Sequence, residues 1–327
     1  KYQESLKVVN NMLHSCPNDI SILPYKAANL LYIGKIEESL RVSNKILKTN
    51  RDHELSIVLK RDALFELGDF KNALNVHTKI LEWNINDDDA WYNKGVILGN
   101  LKKEQEALVA FEKALILNDS NADAWFYKGK ILRKNKQYHK AIAAFGKSVA
   151  IHDLFEDAWL EKGIALANLE RWEEAISDFE KVISLKQYLV DDAYCFVGQT
   201  LVKIGKIPDA IISYKKALEI NPTHLNTYSS LGWAYFTIKD FQNARNSFYK
   251  YIEIEEHENA FMNLGHCELM LSSKEKALEC YKKSLDLWDC SEKFFQGMED
   301  DFQYLEGITQ EEYDKIIIEL KEYFNGK

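Results

Sequence analysis

Proline is almost missing from this sequence: four prolines and 14 glycines in 327 residues leave no stretch able to serve as a Pro- or Gly-rich linker. That scarcity of breakers favours one continuous helical array over the two or three globular domains the length would suggest. Long apolar runs are missing too. No segment approaches the roughly 18 uninterrupted apolar residues of a membrane-spanning helix, and the chain does not open with a signal-peptide pattern, so no membrane partner is expected. The five cysteines, Cys16, Cys195, Cys267, Cys280 and Cys290, are odd in number and include no CxxC spacing. They read as reduced thiols of a cytoplasmic protein, without disulfides or a metal site. Positive charge is in deficit, with 42 basic against 51 acidic side chains and a net charge of −9, which disfavours nucleic acid. No GxGxxG, Walker or GxSxG motif occurs. His266, Cys267 and Glu268 form the one adjacent His/Cys/carboxylate trio, yet successive helical residues point apart, so they cannot converge unaided. No catalytic residue, metal or cofactor is expected.

Repetition is what the sequence does contain. "DAWYNKG" at 89–95 returns as "DAWFYKG" at 123–129 and "DAWLEKG" at 157–163. Its glycine continues as Gly95, Gly129, Gly163, Gly198, Gly232 and Gly265, at intervals of 34, 34, 35, 34 and 33. Extending the period backwards reaches Arg61 and Ala27, giving eight units over residues 20–287. The two irregular intervals fall in loops between units, where a gained or lost residue does least harm. Each unit carries two helical stripes. Trp91, Gly95, Leu98 and Leu101 mark the first helix of one unit, and Ala107, Phe111, Ala114 and Leu115 mark the second. The turn between them carries Gly34, Gly68 or Gly205, which readily take the left-handed conformation that ends a helix, or else Lys102, Lys136 or Glu170. Pro17 and Pro222 sit in inter-unit loops, while Pro24 and Pro208 sit in first turns.

Thirty-four-residue helical hairpins with Trp, Gly, Ala, aromatic and Ala in this order resemble the tetratricopeptide repeat. The resemblance spans roughly residues 2–287, with second helices matching through Ala141 and Phe145, Ala175 and Phe179, Ala210 and Tyr214, Ala244 and Phe248, and Ala277 and Tyr281. The first units depart from it: Ala27 and Arg61 replace the glycine, Ser39 the alanine, and Ser43 and His77 the ring. Looser packing is expected there, in the same register. Residues 2–13 match a second helix with no first helix before it, so 1–19 reads as half a hairpin whose bare face a preceding segment or a partner would cover. Residues 288–327 depart from the motif and read as a capping helix pair: an amphipathic helix ending at Gly307, then a helix opened by a Thr309/Glu312 capping box with Ile316, Ile317 and Leu320 inward.

The resemblance implies an all-α, right-handed superhelical solenoid of antiparallel helix pairs, whose first helices line a concave groove at positions 2, 5, 9 and 12 of each unit. Carried onto this chain, those positions give a peptide-binding set of Asp89, Tyr92, Asp123, Phe126, Lys130, Arg133, Asp157, Leu160, Asp192, Gln199, Trp233, Phe236 and Met262. The aromatics and Met262 would anchor a segment of another protein, and the Asp row would select basic residues beside it. Against this stands the simpler reading that an Asp in a first turn answers the helix dipole and an aromatic at helical spacing is core. The carboxylate clamp of chaperone-tail receptors in the family is missing: position 5 is Pro24, Val58, Tyr92, Phe126, Leu160, Cys195, Ser229 and Met262. An Asn ladder like that of its glycosyltransferase arms is reduced to Asn93 and Asn263. The expected function is a scaffold or adaptor that binds a protein or peptide. The rival is a recruiting arm of a larger enzyme, and self-association through the N-terminal face stays open.

Overall fold

The computed structural model describes residues 1–288 and 290–326; Asp289 and Lys327, both inside the expected cap, lie outside the described residues. The chain forms two compact units, Lys1–Ala158 and Trp159–Lys327. The first contains α1 (Tyr2–Ser15), α2 (Leu23–Tyr32), α3 (Ile36–Thr49), α4 (Glu54–Glu66), α5 (Phe70–Trp83), α6 (Asp88–Asn100), α7 (Glu104–Leu117), α8 (Ala122–Lys134) and α9 (Tyr138–Ile151). α10 (Glu156–Ala167) runs across the division. The second contains α11 (Trp172–Leu185), α12 (Val190–Lys203), α13 (Ile207–Ile220), α14 (Leu225–Thr237), α15 (Phe241–Ile254), α16 (Glu258–Met270) and α17 (Lys274–Leu287). α18 (Ser291–Asp301), a 3-10 turn (Phe302–Tyr304) and α19 (Gln310–Asn325) complete it. Helices form consecutive hairpins, and no strand occurs among the described residues.

Local chemistry sets the boundaries. Asp87 and Asn121 accept hydrogen bonds from the amides of Ala90 (2.9 Å) and Ala124 (2.8 Å), satisfying donors that the first turns of α6 and α8 leave open. Thr309 and Glu312 form the reciprocal capping box at the start of α19. Within hairpins the chain reverses through one left-handed residue: Gly34, Gly68 and Gly205 at φ 75° to 81°, and Lys102, Lys136 and Glu170 at 56° to 59°. A side chain in that region costs about 1–2 kcal/mol, partly offset by the entropy a glycine loses on folding. Lys136→Gly is therefore expected to stabilise the chain by about 0.5 kcal/mol, read as a higher thermal midpoint with unchanged helix content.

The hairpin core is built on contact between a glycine and a ring. A methyl group on Gly129 would lie 2.6 Å from Cε1 of Phe145, whose side chain is fully buried, and Gly95 and Gly163 stand in the same relation to Phe111 and Phe179. The glycine therefore exists for the ring. The departures in the first units form matched pairs on the same logic. Where the ring becomes Ser43 the glycine can be Ala27, and the neighbouring Ser39 hydroxyl donates to the Ala27 carbonyl at 2.7 Å. Where it becomes His77, Nε2 donates to the Ala90 carbonyl at 2.7 Å, leaving Nδ1 to face Arg61 Nη1 at 3.4 Å. His77 is fully buried, and desolvation above all pulls its pKa down to about 4, with the Arg61 charge adding to that.

The C-terminal segment corrects one expectation. The helix beginning at Ser291 ends at Asp301, not at Gly307, because the chain tightens into the 3-10 turn to bury Leu305 and set Phe302 against Tyr313, ring centroids 4.3 Å apart. Gly307 then turns the chain at φ +94°. Ile316 and Leu320 are buried and Ile317 is partly so. Met262 packs against Gly297 of α18, and every residue of α16 from Ala260 to Leu269 is buried. α16 is thus enclosed on all sides, not open along its first-helix face.

Candidate functional site

In the first unit, the residues read as a groove surface separate into two layers. Phe126 is buried, its ring 4.7 Å from Phe155 and 6.0 Å from Phe145 between centroids, so it is core and offers no open pocket. Tyr92 is half-buried, and Tyr127 beside it, 6.0 Å away, stacks on Phe111 at 5.9 Å. Burial, above the neighbouring charges, raises both phenols. Lys130 is exposed, with Nζ 5.3 Å from the Phe126 ring and 5.9 Å from that of Tyr127. Asp89 and Asp123 are exposed in first turns, and partial desolvation followed by Asp88 and Asp87 holds the Asp89 carboxyl above its ordinary value. Arg133 and Asp157 are half-buried. Tyr127 falls at position 6 of its unit, outside the positions 2, 5, 9 and 12 that the resemblance assigns to the groove, so the repeat register does not point to it.

In the second unit, Trp233, Phe236 and Val202 line a cavity of about 750 Å³ with Phe241, Met270 and Tyr304. Trp233 is half-buried and meets Phe236 at 5.5 Å and Tyr304 at 5.8 Å between ring centroids, both edge to face. Tyr304 is 52% exposed and belongs to the 3-10 turn, so the C-terminal segment supplies one wall. The sequence offered only its general aromatic character as a signal. The rim carries Lys203, Lys239 and Glu306, the last two joined as an exposed ion pair. Gln199 lines a smaller recess of about 300 Å³ with Ile164 and Phe196. Leu160 is buried. Asp192 accepts from His224 Nε2 at 3.1 Å, and this hydrogen bond raises the histidine pKa while His224 Nδ1 caps α14 through the Thr227 amide.

The adjacent trio does diverge. His266 is buried, with Nδ1 taking the Tyr281 hydroxyl at 2.8 Å and Nε2 facing Asp301 at 3.2 Å, so it fastens α18 to the repeats. Cys267 is buried with its thiol pushed well up by desolvation, and Glu268 faces Arg245 at 3.5 Å. Among the described residues no group of three His, Cys, Asp or Glu could hold a metal ion, and no helix is long and apolar enough to cross a membrane.

Comparison with known proteins agrees with this architecture. The tetratricopeptide repeat models match residues 88–121, 110–143, 156–188 and 225–258, and a further TPR repeat model matches 198–238. The chain is a tetratricopeptide-repeat protein. Its all-helical fold of consecutive pairs is that of other members, and a protein-interaction scaffold is the class of work they support. BBSome complex member BBS4 of Bos taurus is 28% identical over 90 residues, 28% of this chain and 17% of that protein, so the chain matches only a small part of that relative's length. Among solved structures, the C-terminal part of a TPR repeat-containing protein from Cytophaga hutchinsonii superposes with TM-score 0.59 and 21% identity, over 72% of this chain and 97% of that one. PilF of Pseudomonas aeruginosa does so with TM-score 0.54 and 15% identity, over 65% and 97%.

Proposed function

We propose that this chain is a scaffold that holds a segment of a partner protein along its first helices, with the aromatic recess around Trp233 as the anchor point. The observation that carries this reading is that recess. Its volume falls within the range of about 300–1,000 Å³ typical of ligand pockets, and Trp233, Phe236 and Tyr304 are among its lining residues, Trp233 meeting both other rings edge to face. Aromatic side chains dominate binding hot spots because they bury much area at little conformational cost. The first unit, taken by itself, sets Asp89 and Asp123 beside Tyr92 and Tyr127, a surface suited to a partner segment with basic and apolar residues. Asp192 is committed to His224 and contributes less to that preference. BBS4, by its name a member of a protein complex, is a relative in keeping with such a role.

The test is affinity capture from native extract with the wild-type chain beside a Trp233→Ala, Tyr304→Ala variant of equal helix content by circular dichroism. Partners retained by the wild type and lost from the variant are the expected result. Identical partner sets on both proteins would overturn the assignment of the anchor.

A further inference from the structure

Position 4 of the first helix is aromatic in six successive units, as Trp91, Trp125, Trp159, Tyr194, Tyr228 and Phe261. In α4 it is Ile57. The lysines that serve such a ring are nevertheless in place. Around Trp91, Lys94 Nζ lies 4.9 Å and Lys113 Nζ 4.1 Å from the ring centroid. One period of 34 earlier these positions are Lys60 on α4 and Lys79 on α5. Neither makes an ion pair or ring contact among the described residues.

Between α3 and α5, over α4, lies a groove with a cavity of about 520 Å³, close to the roughly 500 Å³ of the equivalent groove lined by Trp125, so what sets it apart is the missing ring and not its volume. Ile57, Leu64 and Val76 contribute to its apolar wall, while Arg51, Lys60 and Lys79 stand around it. Three asparagines complete the polar lining, and no carboxylate is among the lining residues. Asp69, at the start of α5, accepts from the Asn72 side-chain amide at 2.7 Å. Three cations with no ion pair among the described residues stand around this recess in a chain of net charge −9.

The chain itself shows what chemistry completes such a groove. Two repeats later, the equivalent groove between α7 and α9 is lined by Trp125, and Lys128 there lies 5.4 Å from the Trp125 ring centroid and 3.0 Å from Glu112. An indole and a carboxylate are therefore the groups that this arrangement of lysines accepts. Both are missing at Lys60 and Lys79, since position 25 of the preceding helix is Asn44 there instead of glutamate.

We infer that the recess between α3 and α5 is a second protein-binding site, which takes an aromatic side chain flanked by acidic residues from a partner polypeptide. The partner's ring enters the groove and gives Lys60 and Lys79 the aromatic face that Ile57 does not, and the flanking carboxylates pair with Arg51, Lys60 and Lys79. This site is formed by the second helices α3 and α5 together with α4 between them and shares no residue with the Trp233 recess, so either can fail without the other.

The test uses the 327-residue chain and a dye-labelled peptide with one tryptophan between glutamates, with binding followed by fluorescence anisotropy at low ionic strength. Saturable binding is expected, weakened about tenfold or more by replacing the peptide's tryptophan with alanine. Ile57→Trp, which restores the chain's own ring, is expected to weaken it as much. Because enlarging a buried residue can disturb packing, Lys60→Glu with Lys79→Glu forms the second variant and is expected to do the same at unchanged helix content. Three results each overturn the inference: no saturable binding, equal binding of the alanine peptide, or binding unchanged in the Lys60→Glu, Lys79→Glu protein. Loss of binding in Trp233→Ala alone would place the peptide in the other recess and overturn it as well.

Discussion

Phe145→Ala is expected to destabilise the first unit by about 3–5 kcal/mol, the usual cost of deleting a fully buried phenyl ring and leaving its cavity. The ring lies against Gly129 and contacts Phe126, so its loss removes the contact holding α8 to α9. Because each hairpin leans on its neighbours, the deficit should surface as an early transition in urea, followed by circular dichroism, ahead of the main loss of helix. Gly129→Ala probes the same contact from the other side. A methyl 2.6 Å from the Phe145 ring must displace it, at about 1–3 kcal/mol for overpacking. The informative result is the double variant. With the ring gone the methyl has room, so the combined loss should fall short of the sum of the single losses. Strict additivity would mean that glycine and ring are not coupled and that the stated reason for the repeated glycine is wrong.

Acidification is expected to loosen the first unit through His77. Its pKa lies near 4 in the folded chain against an ordinary value of 6.5, so the unfolded chain binds the extra proton over that interval. Stability therefore rises with pH between about 4 and 6.5 and is lost as pH falls through the same window. A difference of 2.5 units corresponds to about 3 kcal/mol, as an order of magnitude. Replacing the pair by the combination used elsewhere, Arg61→Gly with His77→Phe, should keep the fold and flatten this part of the pH profile. Urea midpoints measured across the window check it: an unchanged slope in the double variant would assign the acid sensitivity to other groups.

Much of the fold was legible because a fixed period makes each local signal recur. The glycine series, the left-handed turns at Lys102, Lys136 and Glu170 and the Thr309/Glu312 box all rest on backbone geometry that a few residues decide. The binding surface was less legible, since position in a repeat says which face of a helix a residue occupies and not what lies over that face. Phe126 and Met262 share position 5 with Tyr92, yet Phe155 packs on the first and α18 lies on the second. Asp192 shares position 2 with Asp89 but is bound by His224, a contact made across a separation of 32 residues. Tyr304 reaches the Trp233 recess only because the chain after α18 tightens into a 3-10 turn, and no periodicity announces that turn. Arg61 and His77 broke the motif singly in the sequence and became intelligible only as a pair in contact.

The central claim, that a partner segment is held along the first helices and anchored at Trp233, is met most directly by amide hydrogen exchange on the captured complex against the free chain. Protection gained on α12 and α14 and at residues 302–306 is the predicted result. Protection confined to the second helices, or none in the second unit, would contradict it.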